Sequence, residues 1–315
     1  MEQSYPTRRA LMATGAAALL SGCADPWPVD EAEAGWPPIG QFVEAEGLRI
    51  HYWEAGQGEP VVLVHGASGN LRDWTFDIAP LLAQKYRVIA VDRPGFGYSE
   101  RPPEDGSDAS VQARILRTAT KSIGAERPVV IGHSWGGALS LAWAVDEPDS
   151  LRGIVPVSAV AMPYGGLGRF LSAIGLSSVI ASLYSEYLKS SAANGGIEKF
   201  IARVFRPQSP PVGYVDYVGG PLALRDATLD ANAKDIEDLP VALRRIAPAY
   251  PELKLPVEIV HGMSDFVGHE RHAIPLSEVV PQARLTLLPG VGHMAHHAAP
   301  AVLMEAVDRI VAQRA

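Results

Sequence analysis

The feature that most constrains this chain is an alternation of two patterns that begins at residue 61. Short, nearly continuous apolar runs rich in β-branched residues, VVLVHG (61–66), YRVIAVD (86–92), PVVIGHS (128–134) and LRGIVPVS (151–158), are separated by longer stretches with apolar residues at helical spacing. Uninterrupted apolar strands predict a parallel sheet covered on both faces, because an open face would require a polar residue at every second position. LRDWTFDIAPLLAQ, ASVQARILRTATKSIG and WGGALSLAWAVDEP read as the covering helices, the last two ending near Gly124 and Pro148. Strand and helix in turn predict a doubly wound α/β fold. Upstream, QFVEAEG and LRIHYWEAG share a turn at Gly47 and predict an antiparallel hairpin at a sheet edge.

From Ala161 to about Leu253 the alternation stops, and an irregular, mostly helical segment punctuated by RPQSPPVG and VGGPLAL intervenes. Strands and helices resume in LPVEIVHG (255–262), ERHAIPLSEVV, ARLTLLP (283–289) and PAVLMEAVDRIVAQ (300–313). The expected organisation is a core of residues 41–160 and 254–315 carrying a helical cap, 161–253, over the C-terminal edge of the sheet, where open α/β sheets bind ligands. A chain of 315 residues, 47% hydrophobic and 20% charged, has enough apolar material for such a core. A net charge of -8 argues against a nucleic-acid partner, which would need clustered Lys and Arg. No segment past residue 40 reaches the roughly 18–20 apolar residues of a spanning helix. Oligomeric state is left open.

GHSWGG (132–137) follows a buried strand and opens a helix, the context that makes G-x-S-x-G a nucleophile elbow. Ser134 is the candidate nucleophile, with Gly132 and Gly136 permitting a close strand–helix crossing. A serine hydroxyl needs a base at neutral pH, and His293, in the Gly-rich loop LPGVGHMAHH, is the candidate. His296 and His297 are its rivals, expected at the start of the final helix as one packed and one solvated histidine. The base must be held in one tautomer by a carboxylate, and Asp265 in HGMSDFV, just past a core strand, is expected to hold it. Asp92 precedes the nucleophile and is expected to brace the loop RPGFGYS; Ser158 stands where an alternative acid could have been. Backbone N–H groups of Ala67, in HGASGN (65–70), and of Trp135 are the candidate oxyanion donors. His65 and His133 are expected to be structural. His269, His272, His293, His296 and His297 have no acidic or Cys ligand interleaved and match no zinc spacing, so neither metal nor cofactor is expected.

HGASGNLRDW, DRPGFGYSERP, GHSWGG, HGMSDFV and GVGHMAHHAAP together resemble the successive signatures of the capped α/β-hydrolase superfamily, over roughly residues 40–315. The resemblance implies a Ser134–His293–Asp265 triad and hydrolysis of a small-molecule substrate, with a carboxylic ester as the leading expectation. Haloalkane dehalogenases and epoxide hydrolases of that superfamily carry Asp at the nucleophile position, here Ser134. Carbon–carbon bond hydrolases keep Ser but typically place Trp after the catalytic His, here Met294. Proline iminopeptidases bind the substrate amine with acidic cap residues, and no such pair stands out among Glu186, Glu198, Asp216 and Asp226. Carbon–carbon bond hydrolysis and iminopeptidase-like cleavage are the alternatives within the fold. A ligand-binding receptor built on the same fold is the alternative outside catalysis.

The first forty residues read as an address. Arg8 and Arg9 precede the short apolar run Ala10 to Leu20, which matches a signal-peptide core. Leu20, Ser21, Gly22 and Cys23 resemble the lipobox of bacterial lipoproteins, which implies cleavage after residue 22 and lipidation of Cys23, the chain's single cysteine. The expectation is an exported protein anchored to the membrane by this lipid alone, with residues 23–40 as an acidic, Pro-rich, solvated tether. The arginine pair also fits twin-arginine export, though any basic n-region carries such residues.

Overall fold

Eight strands hydrogen-bond into one sheet: β1 (Gln41–Ala45), β2 (Leu48–Ala55), β3 (Pro60–Val64), β4 (Arg87–Val91), β5 (Val129–His133), β6 (Gly153–Val157), β7 (Glu258–Gly262) and β8 (Arg284–Leu288). Their spatial order is β1-β2-β4-β3-β5-β6-β7-β8. β1 and β2 pair antiparallel through a two-residue turn at Glu46 and Gly47, both at positive φ, and β2 pairs antiparallel with β4. Every other pairing is parallel. This computed structural model describes residues 29–164 and 195–313. Cys23 and the signal segment lie outside the described residues, as do residues 165–194 of the expected insertion.

The parallel strands are buried on both faces, and their side chains divide by alternation. Val62, Val64, Ile89, Val91 and Val130 face one apolar layer, while Val61, Leu63, Val88, Ala90, Val129 and Ile131 face the other. Helices α4 (Ala109–Ser122) and α5 (Trp135–Asp146) fill the first layer. In α5 every residue from Trp135 to Ala144 is buried, so it is apolar all round rather than striped. Helices α2 (Arg72–Thr75), α3 (Ile78–Leu82) and α11 (Pro300–Ala312) fill the second layer. LRDWTFDIAPLLAQ is thus two short helices rather than one; Asp77, at φ -145 and ψ -39, breaks it, and its carboxylate bonds His297 instead.

The strand order reverses at β3: the chain leaves β3 for β4 on one side, and β5 lies on the other. Such a switch point opens a crevice between the loops that follow the two strands, where α/β sheets bind ligands. Residues 65–70 follow β3 and Ser134 follows β5, so both lie at that crevice.

Between β6 and β7 the chain forms α6 (Gly196–Phe205), α7 (Tyr214–Tyr217), a 3-10 turn at Gly220–Leu224, α8 (Asp226–Ile246) and a second 3-10 turn at Ala247–Glu252. Leu239, Leu243 and Ile246 on the second half of α8 pack into the core beside α5. After β7 come α9 (Ala273–Val279), β8 and α10 (Ala295–Ala298).

The described part of the expected tether is largely exposed but touches the body at a few points. Residues Val29–Gly35 form helix α1, with Ala32 fully buried. Glu33 pairs with Arg225 at 3.0 Å, the Trp36 indole N–H donates to the Asp216 carbonyl at 2.7 Å, and Arg72 donates to the Pro37 carbonyl at 2.6 Å. These contacts are supplied by distant elements, not by a period of the segment's own.

Candidate active site

β5 ends at His133 and α5 begins at Trp135, so Ser134 makes the whole turn, at φ 53 and ψ -113. A non-Gly residue with that backbone costs about 1–3 kcal/mol and persists only where its surroundings over-determine it. Here Ser134 N–H donates to Val157 O at 2.9 Å, and Ser134 O accepts from Gly137 N–H at 3.0 Å. The crossing is tight: a Cβ on Gly132 would lie 2.1 Å from Gly136 O, and one on Gly136 would lie 2.4 Å from Val64 O. Among the described residues the Ser134 hydroxyl has no hydrogen-bond partner, and it lines a cavity of about 350 Å³. Trp135 heads α5, so its N–H is among those with no intrahelical acceptor.

The loops after β7 and β8 bring Asp265 and His293 together. His293 Nδ1 lies 2.9 Å from both oxygens of Asp265. Burial alone would raise the Asp265 pKa; the neighbouring His261 and the hydrogen bonds from His293 and the Val267 N–H hold it well below the usual carboxylate range. His261 Nε2 is 3.0 Å from Asp265 Oδ2, without the alignment of a hydrogen bond. An ionised carboxylate fixes the His293 proton on Nδ1, which leaves Nε2 as the nitrogen free to accept one. His293 lines the same cavity as Ser134, as does Phe266, whose ring is 4.6 Å from the imidazole. Asp92 is committed elsewhere, accepting from Leu71 N–H at 2.7 Å and Tyr98 N–H at 2.9 Å and pairing with His51. Ser158 is buried at φ 47, with no partner for its hydroxyl among the described residues.

Ala67 also lines the cavity, with Ser68 and Asn70 from the same loop. The opposite wall is apolar: Ile197, Phe200, Ile201, Val204 and Phe205 of α6, with Leu224, Leu229 and Ile236. Tyr214 lines it as well, whereas Tyr217 bonds Thr75. Among the described residues no Lys or Arg lines the cavity, and its one carboxylate is Asp73.

Asp73 centres a polar cluster that sequence reasoning missed. It accepts from Tyr214 Oη at 2.7 Å, His297 Nε2 at 3.0 Å and His296 Nε2 at 3.1 Å. His297 Nδ1 also bonds Asp77 at 3.1 Å. Burial alone would lower the His297 pKa, but these two carboxylates raise it to about 9, as a ring that donates from both nitrogens requires. His297 is therefore a buried imidazolium, and neither of the two rival histidines is solvated as one of them was expected to be. Asp73 is held well below its ordinary value, because the hydrogen bonds from His296 and His297 and the His297 charge outweigh burial. Burial pushes the pKa of His133 and His296 down, so both are neutral. His133 Nε2 donates to His293 O at 3.0 Å, and His65 Nε2 accepts from Arg93 N–H at 3.0 Å, the structural roles expected of them. Ligand atoms of Asp73, His133 and His296 lie within 4.8 Å of one another, the set among the described residues able to hold a cation, and Asp73 already bonds three donors.

A family profile described as alpha/beta hydrolase fold matches residues 59–300. The chain is 29% identical to haloalkane dehalogenase 2 of Mycobacterium tuberculosis, over 88% of this chain and 94% of that one. It is 26% identical to a 2-hydroxy-6-oxo-6-phenylhexa-2,4-dienoate hydrolase of Burkholderia cepacia, over 79% of this chain and 86% of that one. Among solved structures, a meta-cleavage product hydrolase from Pseudomonas fluorescens superposes with a TM-score of 0.67 at 19% identity, covering 86% of this chain and 98% of that one.

Proposed function

This chain belongs to the α/β-hydrolase fold family, and from that premise we propose that it is a serine hydrolase that cleaves a carboxylic ester through an acyl-enzyme. The observation that carries the reading is the 2.9 Å contact of His293 Nδ1 with Asp265 beside a cavity that Ser134 and His293 both line. His293 Nε2 takes the Ser134 proton as Oγ attacks the ester carbonyl, and the N–H groups of Ala67 and Trp135 stabilise the oxyanion. Collapse of the tetrahedral species expels the alcohol, which takes the proton back from His293. Water, activated by the same imidazole, then releases the acid.

The chemistry of the nucleophile separates this reading from the activities of the relatives. A carboxylate that displaces halide from an alkyl group leaves an ester that water can hydrolyse; a serine would leave a stable ether. Dehalogenation is therefore not proposed, despite the 29% identity. Carbon–carbon bond cleavage stands as the second reading, favoured by the relative named for a dienoate. A dienoate carries a carboxylate, and the cavity offers Asp73 and no Lys or Arg among its described lining residues, which favours a neutral, apolar substrate.

The test is a fluorophosphonate probe on the purified protein, followed by a panel of neutral p-nitrophenyl esters, lactones, aminoacyl amides and a vinylogous diketo acid. Labelling of Ser134 and ester turnover, both lost in His293→Ala and retained in His296→Ala, are expected. An unlabelled wild-type protein would sink the reading in favour of a binding module, and turnover of the diketo acid alone would move it to the carbon–carbon class.

A further inference from the structure

The proposed oxyanion donors are held from the inserted segment. Asp235 and Ile236 lie one turn on from Asn232 on α8, and Asn232 and Ile236 line the cavity. Asn232 Oδ1 accepts from Ser68 N–H at 2.8 Å. Asp235, fully buried, pairs with Arg93 at 2.7 Å, and Arg93 Nη2 reaches Gly66 O at 3.3 Å. The Asp235 carbonyl accepts from the Trp135 indole at 3.1 Å, and the Arg93 guanidinium lies 4.1 Å from the ring centroids of both Trp135 and Phe96.

These contacts fix more than side chains. A peptide unit is planar and trans, so the direction of one residue's carbonyl fixes the opposed direction of the next residue's N–H. Gly66 O and Ala67 N–H share a plane, and Arg93 holds the carbonyl end of it, with His65 Nδ1 at 2.8 Å. Ala67 O and Ser68 N–H share the following plane, and Asn232 holds its N–H end. Ser68 sits at φ 56, a backbone that a non-Gly residue adopts only when held. Both planes that flank Ala67 are thus pinned from α8, one directly and one through Arg93. Trp135, the residue of the second donor, is gripped by the same Asp235–Arg93 pair.

We propose that α8 is the positioning element of the oxyanion hole: Asn232 and the Arg93–Asp235 pair hold the Ala67 and Trp135 N–H groups in their catalytic orientation. The inference rests on the serine-hydrolase reading above. Arg93 is charged and desolvated, so burial pulls its pKa down to about 10 while Asp235 opposes the fall; it keeps its proton at neutral pH. Without that guanidinium and the Asn232 acceptor, the Ala67–Ser68 peptide loses its side-chain partner and the Gly66–Ala67 peptide keeps His65 alone, so the donor's orientation loosens without any loss of apolar wall.

The test uses the full chain, p-nitrophenyl butyrate, and an alkyl trifluoromethyl ketone that forms a tetrahedral adduct on a reactive serine. In Asn232→Ala and Arg93→Met, kcat is expected to fall about 10- to 100-fold, somewhat less than outright removal of an oxyanion donor. KM should stay within about threefold, and the ketone should weaken by the same factor as kcat, because both sense the oxyanion. Lys234→Ala, which removes a surface ion pair with Asp238 on the same helix, should leave all three unchanged. Asn232→Ala keeps the test open if Arg93→Met does not fold, since Ala is the best helix former. Unchanged kcat in Asn232→Ala, or a rise in KM with kcat intact, would overturn the inference and reduce α8 to a wall. Wild-type protein that resists fluorophosphonate would instead overturn the serine-hydrolase reading itself.

Discussion

Replacing His297 by Gln tests whether the buried cluster around Asp73 stabilises the fold through a charge. His297 is 2% exposed at its side chain, and Asp73 and Asp77 raise its pKa from 6.5 to about 9. The groups facing it are those two carboxylates, the neutral His296 and the Tyr214 hydroxyl, which Asp73 and burial keep protonated. In the unfolded chain the histidine loses its proton near 6.5, so between that pH and about 9 the native state binds more protons. Stability from this group is therefore fully present below 6.5 and is lost as pH rises through about 9. The gap between 6.5 and about 9, at about 1.4 kcal/mol per pH unit, is worth about 3 kcal/mol. His65 and His272, pushed down to about 4 by burial, act in the opposite sense and only in acid: their stabilisation is lost as pH falls from 6.5 towards about 4. Guanidinium unfolding of wild type and His297→Gln, repeated from about pH 6 to about pH 10, reads the difference directly. The wild-type advantage should shrink by about 3 kcal/mol across that window. A difference that stays constant from pH 6.5 to about 9 would refute the reasoning, since His297 would then titrate alike in both states.

Three further outcomes are expected. Asp265→Asn should lower kcat by about 10⁴ with little change in unfolding midpoint, measured by ester turnover and thermal melts, because the imidazole then loses the carboxylate that fixes its tautomer. Gly136→Ala should destabilise by about 1–3 kcal/mol in denaturant titration, since the helix gain of about 1 kcal/mol is outweighed by a Cβ placed 2.4 Å from Val64 O and 2.6 Å from His65 O. On the reading of Cys23 as a lipid anchor, Cys23→Ser should move the protein from the membrane fraction to the soluble one and abolish lipid labelling; wild-type protein without lipid would end that proposal.

The parts of the fold legible in sequence are those whose cause is local. Continuous Val and Ile runs follow from burial on both faces of β3 to β7, and the Glu46–Gly47 turn follows from its two positive φ angles. Ser134 was legible because an elbow needs glycines within two residues of it, and that requirement is written in consecutive positions. Asp265 and His293 were legible because each follows a strand, Gly262 ending one and Leu288 the other, so the strand ends aim them at one place.

What stayed hidden has its cause across the chain. Asp73 lies in a short helix, and the residues that keep it ionised, His296 and His297, are more than 220 positions away. Arg93 carries no periodic signature, and its role depends on Asp235, 142 positions on, in a helix whose own pattern is merely amphipathic. A burial cost is the signal that could have pointed to such residues: a charged side chain beside an all-apolar strand, as Arg93 stands after YRVIAVD, must have a paired partner because an unpaired buried charge costs several kcal/mol. Asp235 is a carboxylate that pairs with Arg93, and Arg93 shares Gly66 O with His65, so on the proposed reading exchange of the helix for another of equal apolar lining would remove one of the two groups that hold the peptide carrying the Ala67 N–H. If α8 positions the oxyanion donors as proposed, a change made at Ile236 to reshape the cavity must leave Asn232 and Asp235 in register to keep kcat.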